Sequence, residues 1–202
     1  MKFVLATQNP KKKEELVAIL GELGVEIVTE EEVGVKVEVE ETGETFAENA
    51  ALKAKAVSEA TGLPAIGDDS GLCVDILNGA PGVYSARYGG EGLDDAGRCR
   101  LLLDSLRGLT DRRAHFETVI CCAFPNGEQI TAQGRCDGTI AFAPMGANGF
   151  GYDPIFFVTS KTKTFAQLTA EEKAAISHRG NALRAFREKL SAYLKEHPEV
   201  EG

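Results

Sequence analysis

The amino-acid sequence predicts an α/β fold with a mixed β-sheet. In the first half of the chain, short apolar segments alternate with segments of helical periodicity, which is typical of parallel strands connected by helices. Between residues 114 and 142, two strand-like segments flank the turn sequence Pro125-Asn126-Gly127, which predicts an antiparallel hairpin. Helical periodicity returns towards the C-terminus. The combination predicts one sheet with parallel and antiparallel neighbours, covered by helices.

The first strands and the first helix are predicted near the N-terminus. KFVLAT, residues 2–7, is a short apolar strand that ends at a polar segment. VGVKVEVEE, residues 33–41, alternates valine with polar residues and is predicted to be a half-buried strand. LPAIG is predicted to be a strand that ends at Asp68 and Asp69. The helix after the first strand has apolar residues at i, i+3, i+4 and i+7, namely Leu16, Ile19, Leu20 and Leu23.

Polar capping residues mark the starts of further helices. Thr45 and Glu48 form a T-x-x-E capping box, and Thr169 and Glu172 form a second one. Asp94 is predicted to cap another helix between them. The last helix is predicted to bury one face, formed by Leu183, Phe186, Leu190 and Leu194.

Length and charge limit the classes of function. The 202 residues are predicted to form one domain, residues 1–202. A net charge of −9 argues against a broad nucleic-acid surface, because such a surface needs a basic stripe. No apolar segment approaches the roughly 20 residues of a membrane span. We therefore expect no nucleic-acid or membrane partner, and any anionic ligand needs local positive charge or a metal ion.

The cysteines indicate a reducing compartment. Five cysteines occur without a C-x-x-C pair, and the adjacent Cys121 and Cys122 are predicted to point to opposite faces of one strand. This arrangement is not typical of a zinc site. We expect reduced, mostly buried thiols in a cytoplasmic protein.

The segment TQNPKKK, residues 7–13, places three lysines at a predicted helix start. The positive end of the helix dipole disfavours each cation by about 0.3–1 kcal/mol, so three lysines there indicate an anionic ligand. The backbone N–H groups of a first helical turn also bind anions. The alternative is a solvated basic turn in which Asn9 only caps the helix.

Carboxylates accumulate at the ends of two predicted strands. Glu38, Glu40 and Glu41 end one strand, and Asp68 and Asp69 end another. Adjacent carboxylates repel each other, and burial of either is costly unless it is paired or metal-bound. If the two strand ends lie close together, their oxygens suit Mg²⁺ or Mn²⁺ shared with substrate phosphates. The alternatives are a solvated acidic edge at Glu38 and an Asx turn at the two aspartates.

Two further segments carry groups suited to nucleotide recognition. In GANGFGYDP, Phe150 and Tyr152 flank Gly151, so an aromatic ring can stack on a flat ligand while the backbone approaches it closely. In KAAISHRG, His178 and Arg179 follow a helix and offer hydrogen-bond donors to a carbonyl or phosphate oxygen. The alternatives are core packing of the aromatic rings and neutralisation of a helix C-terminus by the two basic residues.

In combination, and nearly from end to end, these segments resemble the inosine/xanthosine triphosphate pyrophosphatase family. The resemblance rests on LATQNPKK, EETGETFAENAALKA, DDSGL, GAPGVYSARY, FGYDPIF and LTAEEKAAISHRG, in this order. It implies an elongated mixed sheet flanked by helices, with two lobes around a central substrate cleft, and a homodimer. It also implies Mg²⁺-dependent hydrolysis of deaminated purine nucleoside triphosphates (ITP, dITP and XTP) to the monophosphate and pyrophosphate, which removes them from the nucleotide pool; Mn²⁺ is a possible substitute.

The resemblance implies roles for the residues at matching positions. Asp69 would accept the proton and, with Glu40, hold the metal ion, although Glu41 stays open as the second ligand. GDDSG stands here where ADDSG is commoner in the family, and the family often has glycine near Gln8 or Lys11. The residues implied to bind substrate are Thr7, Gln8, Asn9, Pro10, Lys11, Lys12, Ser70, Phe150, Gly151, Tyr152, Asp153, Lys173, His178 and Arg179.

Two other functions fit parts of the sequence. A Maf-like pyrophosphatase has a similar architecture and acts on pyrimidine or modified nucleotides, but the SHR and FGYD segments argue against it. A nucleotide-sensing module would use the same pocket without turnover, and it would have no need of an acid that activates water, such as Asp69. Pyrophosphate release from different nucleotides discriminates these functions.

Overall fold

The computed structural model describes residues 1–7 and 9–198, within which it has a seven-stranded sheet flanked by helices. Gln8 lies outside the described residues, and so does the side chain of Pro10. The strands are β1 (Lys2–Leu5), β2 (Glu26–Thr29), β3 (Ala65–Val74), β4 (Arg113–Ala123), β5 (Gln129–Ile140), β6 (Phe156–Val158) and β7 (Lys163–Thr164).

The sheet is mixed, as predicted. Its strand order is β2-β1-β3-β4-β5-β6-β7. β1 pairs in parallel with β2 and β3, whereas β6 pairs antiparallel with β5 and β7. β4 and β5 form the predicted hairpin, closed by a hydrogen bond from Phe124 N to Glu128 O of 2.9 Å. The fold class predicted from the sequence is therefore confirmed.

The helices begin where the capping residues predict. Asn9 Oδ1 accepts from Lys11 N, both capping boxes are formed, and Asp94 Oδ1 accepts from Gly97 N. α1 continues into a 3-10 turn that ends at Gly24. The helices are α1 (Pro10–Leu20), α2 (Phe46–Thr61), α3 (Asp95–Ser105), α4 (Ala170–Ile176) and α5 (His178–Glu196).

The predicted strand at residues 33–41 is wrong. Residues 35–40 are outside the sheet, although their alternate valines are half-buried. The cause is Glu30: its carbonyl oxygen accepts from Val35 N at 2.9 Å, and its Oε2 accepts from Val37 N at 2.8 Å. Two N–H groups that a strand would donate to a neighbouring strand are thus bound by one buried glutamate.

The predicted strand end at Asp68 and Asp69 is also wrong, because β3 continues to Val74. Residues 65–67 before the pair and residues 71–74 after it are buried, so the two aspartates lie in the middle of a mostly buried strand. A position inside a strand fixes the directions of both carboxylates. They point to opposite faces of the sheet, because successive side chains alternate along a strand.

The chain divides into two compact units. Unit 1 contains Met1–Asp69, Thr118–Gly134 and the chain from Ala182, and unit 2 contains Ser70–Glu117 and Arg135–Asn181. Each unit has its own apolar core: that of unit 1 includes Phe3 and Phe186, and that of unit 2 includes Phe116 and Phe165. The assignment of residues 1–202 to one domain stays a prediction. Among the described residues, no helix is both long and apolar enough to cross a membrane.

Candidate active site

Asp68 is paired with a lysine of α1. Lys12 Nζ donates to Asp68 Oδ2 at 2.7 Å, and the aspartate is only 4 % exposed. Lys12 lies near the start of α1, on the face of the sheet where α1 packs through Leu16 and Leu20. A cation is thus supplied to the first of the two adjacent carboxylates, which offsets the cost of its burial.

Asp69 points to the other face of β3, towards α2. Asn49 Nδ2 donates to Asp69 Oδ2 at 3.2 Å, and Lys53 Nζ lies 4.0 Å from Asp69 Oδ1. The same ammonium lies 2.7 Å from Glu41 Oε1. One lysine therefore serves two carboxylates, and Glu41 belongs to this cluster. Glu40, the implied metal ligand, is exposed.

A glycine allows α2 to approach β3 closely. A Cβ atom on Gly67 would lie 2.5 Å from Ala50 O and 2.8 Å from Ala54 N, so no larger residue fits without a shift of the helix. Asn49 and Lys53 precede these two alanines and lie four residues apart, on one side of α2. The contact at Gly67 thus sets the distance from these two side chains to Asp69.

Asn49 also fixes the segment that precedes α2. Its Oδ1 accepts from Gly43 N at 2.7 Å, and the whole residue is buried. Because its Nδ2 donates to Asp69, the amide joins the segment next to Glu41 to the catalytic candidate. A buried amide that makes both bonds holds one orientation.

The N-terminal segment is ordered by local hydrogen bonds. Thr7 Oγ1 accepts from Asn9 N at 3.3 Å, and Asn9 caps α1. Lys13 Nζ binds both carboxylate oxygens of Glu32 at 2.7 Å, whereas Lys11 is exposed. The capping role of Asn9 is confirmed, and phosphate binding by this segment stays a prediction.

The donor set of unit 1 suits a hard divalent cation. Asp69 and Glu41 offer carboxylate oxygens, which Mg²⁺ prefers to nitrogen or sulfur. Within the described ranges, no group of three or more His, Cys, Asp and Glu side chains is arranged to hold a metal ion by itself. Mg²⁺ commonly takes one or two carboxylates of a protein together with substrate phosphates.

His178 lies in an aromatic cluster of unit 2. Its ring stacks on Phe116, with centroids 4.6 Å apart, and is nearly parallel to Phe165 at 6.2 Å. Burial, with repulsion from Lys173 and Arg179, lowers the pKa of His178 to about 3. The imidazole is therefore neutral at pH 7 and carries one N–H. His178 can therefore donate one hydrogen bond, and its donation to a substrate oxygen stays a prediction.

His178 and Arg179 begin a helix. α4 ends at Ile176, so the two residues follow a helix end as expected, and they also form the first turn of the next helix, α5. Ser177, between the helices, accepts from Gly180 N at 3.0 Å, which caps α5. Nδ1 of His178 is buried and has no hydrogen-bond partner among the described residues.

Lys173 and Asp153 form a buried ion pair in unit 2. Lys173 Nζ lies 2.6 Å from Asp153 Oδ2, and the same oxygen accepts from Phe150 N at 3.0 Å. Burial raises the pKa of Asp153, and the ammonium of Lys173 opposes this effect. Lys173 Nζ also lies 5.0 Å from the centre of the Phe150 ring. The ion pair thus holds the backbone of Phe150, a residue that is 69 % exposed.

Tyr152 is a core residue. Its side chain is buried, and its hydroxyl donates to Ser85 O at 2.7 Å. Burial raises the pKa of this phenol. Of the two aromatic residues only Phe150 presents a ring to solvent. Contact of Tyr152 with the substrate stays a prediction. The roles of Ser70 and Arg179, both half-buried, stay predictions.

Sequence reasoning did not find Asn49 and Lys53. Both lie on α2 beside the apolar positions that were assigned to the core. Their four-residue spacing next to a run of alanines was an available signal. A helix that packs through alanine approaches its neighbour closely, so polar residues at the margin of that face contact the neighbour too.

The comparisons with known proteins agree on one family. The Ham1 family model matches residues 3–189. A protein named dITP/XTP pyrophosphatase from an Exiguobacterium species is 47% identical over 195 residues, which are 96% of this chain and 100% of the relative. A protein of the same name from Streptomyces coelicolor is 50% identical over 189 residues, which are 92% of this chain and 94% of the relative.

A solved structure gives the same result. A HAM1 protein from Coxiella burnetii has a TM-score of 0.89 and 44% identity to this chain, with 97% of this chain and 99% of that chain covered. Because these matches extend over nearly the whole sequence, the resemblance predicted from the motifs is confirmed, and the chain belongs to the Ham1 family.

Proposed function

We propose that the protein hydrolyses deaminated purine nucleoside triphosphates, namely ITP, dITP and XTP, to the monophosphate and pyrophosphate. The observation that carries the proposal is the cluster around Asp69, in which Asn49 and Lys53 hold the carboxylate and Lys53 also binds Glu41. Relatives named dITP/XTP pyrophosphatase supply the substrate class.

Asp69 is the group that takes the proton from the attacking water. Its neighbours Asn49 and Lys53 are a hydrogen-bond donor and a cation, and both favour the ionised carboxylate that a general base requires. The water oxygen bonds to phosphorus, the anhydride bond between the α- and β-phosphates breaks, and pyrophosphate leaves. Lys12 binds phosphate oxygens, and Asp68 holds its ammonium in place.

Mg²⁺ fits the oxygen donors of unit 1, and Mn²⁺ is a substitute with the same ligand preference. Asp69 and Glu41 are the residues we propose to hold it, in place of the exposed Glu40. When bound, the cation neutralises the negative charge of the triphosphate. Lys12 and Lys53 supply further positive charge from the protein itself.

Base recognition is assigned to the residues around Phe150 and His178. The exposed ring of Phe150 stacks on the base, and Lys173 carries a positive charge beside that ring. Arg179 and the single N–H of His178 donate to the 6-oxygen of inosine or xanthosine, where adenosine has an amino group. The family resemblance also implies that Ser70, Gly151 and Asp153 contact the nucleotide.

A homodimer and a cytoplasmic location complete the proposal. The first is implied by the family resemblance. The second is supported by Cys73, Cys99, Cys121, Cys122 and Cys136, which are all free thiols. Unpaired cysteines are typical of a reducing compartment.

The test is product analysis with ITP, dTTP and a catalytic variant. The purified protein with Mg²⁺ is expected to form IMP and pyrophosphate from ITP in equal amounts. Turnover of dTTP in preference to ITP would instead identify a Maf-like enzyme, and nucleotide binding without turnover would identify a sensor.

Asp69→Asn is expected to abolish turnover while nucleotide Kd stays within about tenfold, which is ~1.4 kcal/mol. Retention of more than a tenth of the rate would move the general base to another residue.

A further inference from the structure

We infer that Asp95 and Cys99 of α3 are positioning residues that fix Phe150 for contact with the substrate base. The inference rests on the proposed function, because it assigns a role to residues around the proposed base-binding ring. Asp95, Cys99 and Phe150 all belong to unit 2. Neither α3 residue needs to touch the ligand for this role.

The backbone N–H and C=O groups of Phe150 and Gly151 are all hydrogen-bonded. Phe150 N donates to Asp153 Oδ2 at 3.0 Å, and Phe150 O accepts from Asp153 N at 3.2 Å. Gly151 N donates to Asp95 Oδ2 at 2.8 Å, and Gly151 O accepts from Cys99 Sγ at 3.4 Å. Two residues one helical turn apart on α3 therefore bind the two backbone groups of a single glycine.

The held backbone carries an exposed ring. Phe150 is 69 % exposed, whereas the next side chain, Tyr152, is 5 % exposed and bonded to Ser85 O. Glycines with φ of +74° and +60° flank Phe150, at positions 149 and 151. Such a segment would be mobile without the side-chain bonds, since glycine has the widest backbone freedom. A ring fixed before binding costs less ordering when the base stacks on it.

The fold alone does not require Asp95. Asp94 already caps α3, since its Oδ1 accepts from Gly97 N at 2.7 Å. Asp95 is exposed and adds no core contact. Its bond to Gly151 N spans 56 residues of sequence and ends beside the proposed base-binding ring. Its exposure and this long-range bond indicate that Asp95 serves to position the backbone at Gly151, next to Phe150.

The kinetic test compares Asp95→Ala, Asp95→Asn and Asp104→Ala with ITP as substrate. Asp95→Ala is expected to raise KM about fivefold with kcat within about twofold, because stacking contributes to binding while Asp69 and its neighbours are unchanged. Asp95→Asn retains an oxygen that accepts from Gly151 N, so its KM is expected near the unchanged value. Asp104→Ala removes the same charge from α3, far from Gly151, and serves as the control.

A double-mutant cycle tests whether Asp95 acts through Phe150. In a Phe150→Ala background, Asp95→Ala is expected to have no further effect on KM, because the ring that it positions is gone. If the increases in KM caused by the two single changes multiply in the double variant, the inference is overturned. A fall in kcat at constant KM in Asp95→Ala would also overturn it. If Asp95→Ala does not fold, Cys99→Ala and Cys99→Ser form the substitute pair, in which only serine keeps a donor to Gly151 O.

A ligand-free readout separates this inference from the proposed function. The chain has no tryptophan, so Phe150→Trp introduces one indole whose emission can be excited alone. Its fluorescence anisotropy is expected to fall when Asp95→Ala is added and to recover with Asp95→Asn. Unchanged anisotropy would overturn the positioning role even if ITP is hydrolysed. Absence of ITP hydrolysis by the unchanged protein would contradict the proposed function and leave the anisotropy result valid.

Discussion

Lys53 Nζ lies 2.7 Å from Glu41 Oε1, and this pair stands beside the catalytic candidate Asp69, whose Oδ1 is 4.0 Å from the same nitrogen. A half-buried ammonium between two carboxylates lowers their mutual repulsion. It also holds Glu41 Oε1 and Asp69 Oδ1 near the same nitrogen, Lys53 Nζ, before any metal ion binds. The shared lysine explains how Glu41 and Asp69 can lie close together without strong repulsion. The first two predictions follow from this arrangement.

Replacement of Lys53 by methionine is expected to lower kcat/KM for ITP by about a hundredfold, because Asp69 and Glu41 lose their shared cation. Methionine keeps much of the side-chain volume, so the fold is retained. Lys55→Met is the matched control on the same helix, since Lys55 is exposed and its Nζ lies 3.8 Å from Glu59 Oε1. Steady-state pyrophosphate release measures both variants. Equal rates for Lys53→Met and Lys55→Met would contradict the role of Lys53.

Glu41→Gln and Glu40→Gln form a matched pair that identifies the second metal ligand. Glu41→Gln is expected to lower kcat/KM by about a hundredfold and to raise the Mg²⁺ concentration needed for half-maximal rate, because a hard ligand is lost. Glu40→Gln is expected to stay within about threefold of the unchanged protein, since this side chain is exposed. A Mg²⁺ titration of both variants is the measurement. The reverse result would restore Glu40 as the ligand.

Gly67→Ala is expected to destabilise the protein by about 1–3 kcal/mol, because the new Cβ would overlap backbone atoms of α2. The displaced helix carries Asn49 and Lys53, so kcat for ITP should fall as well. Gly21→Ala is the control: no atom lies within 4 Å of a Cβ there, and its φ of −57° suits alanine. Urea unfolding and ITP turnover check both changes. A fully stable and active Gly67→Ala would show that α2 moves freely away from β3.

Acid is expected to destabilise the folded state through His178. The folded-state pKa of His178 is about 3, whereas the unfolded value is near 6.5, so between these values the unfolded chain binds a proton that the folded chain excludes. The stability that the neutral ring contributes is therefore present above pH 6.5 and is lost as the pH falls towards 3. His178→Phe keeps an aromatic ring in the stack and removes the titration.

Thermal unfolding at pH 7 and pH 4.5 measures this effect. The fall in Tm between the two values is expected to be smaller in His178→Phe than in the unchanged protein. His197→Gln, after the end of α5, is measured beside it as the histidine control. A pH dependence identical in all three proteins would mean that another group controls the acid sensitivity.

Local signals predicted much of the fold. Capping residues such as Thr45 and Asp94 bind within one turn of their own helix, so their sequence is sufficient to locate helix starts. The turn at Asn126-Gly127 is equally local. The segment 33–41 was mispredicted because its valine alternation is that of a strand, while the partner of its N–H groups is the side chain of Glu30. No pattern within the segment reveals that bond.

The site was predicted only in part, because local motifs are visible in the sequence whereas long-range contacts are not. The acidic pair Asp68-Asp69 is visible as a motif, but its lysines come from α1 and α2, and only the tertiary structure shows which lysine meets which aspartate. Phe150 and Tyr152 are alike in sequence context. Their opposite exposures depend on Ser85 and on α3, which lie far away in the sequence.

The central claim is selectivity for a deaminated purine, and the kcat/KM ratio of ITP to ATP tests it most directly. In the proposed function, Arg179 and His178 donate to the 6-oxygen of inosine, where adenosine has an amino group. Mismatched polar groups discriminate far more strongly than size does. The account predicts a ratio of about a hundredfold or more, which is roughly 2.7 kcal/mol of transition-state energy. Hydrolysis of ATP with the same kcat/KM as ITP would contradict it.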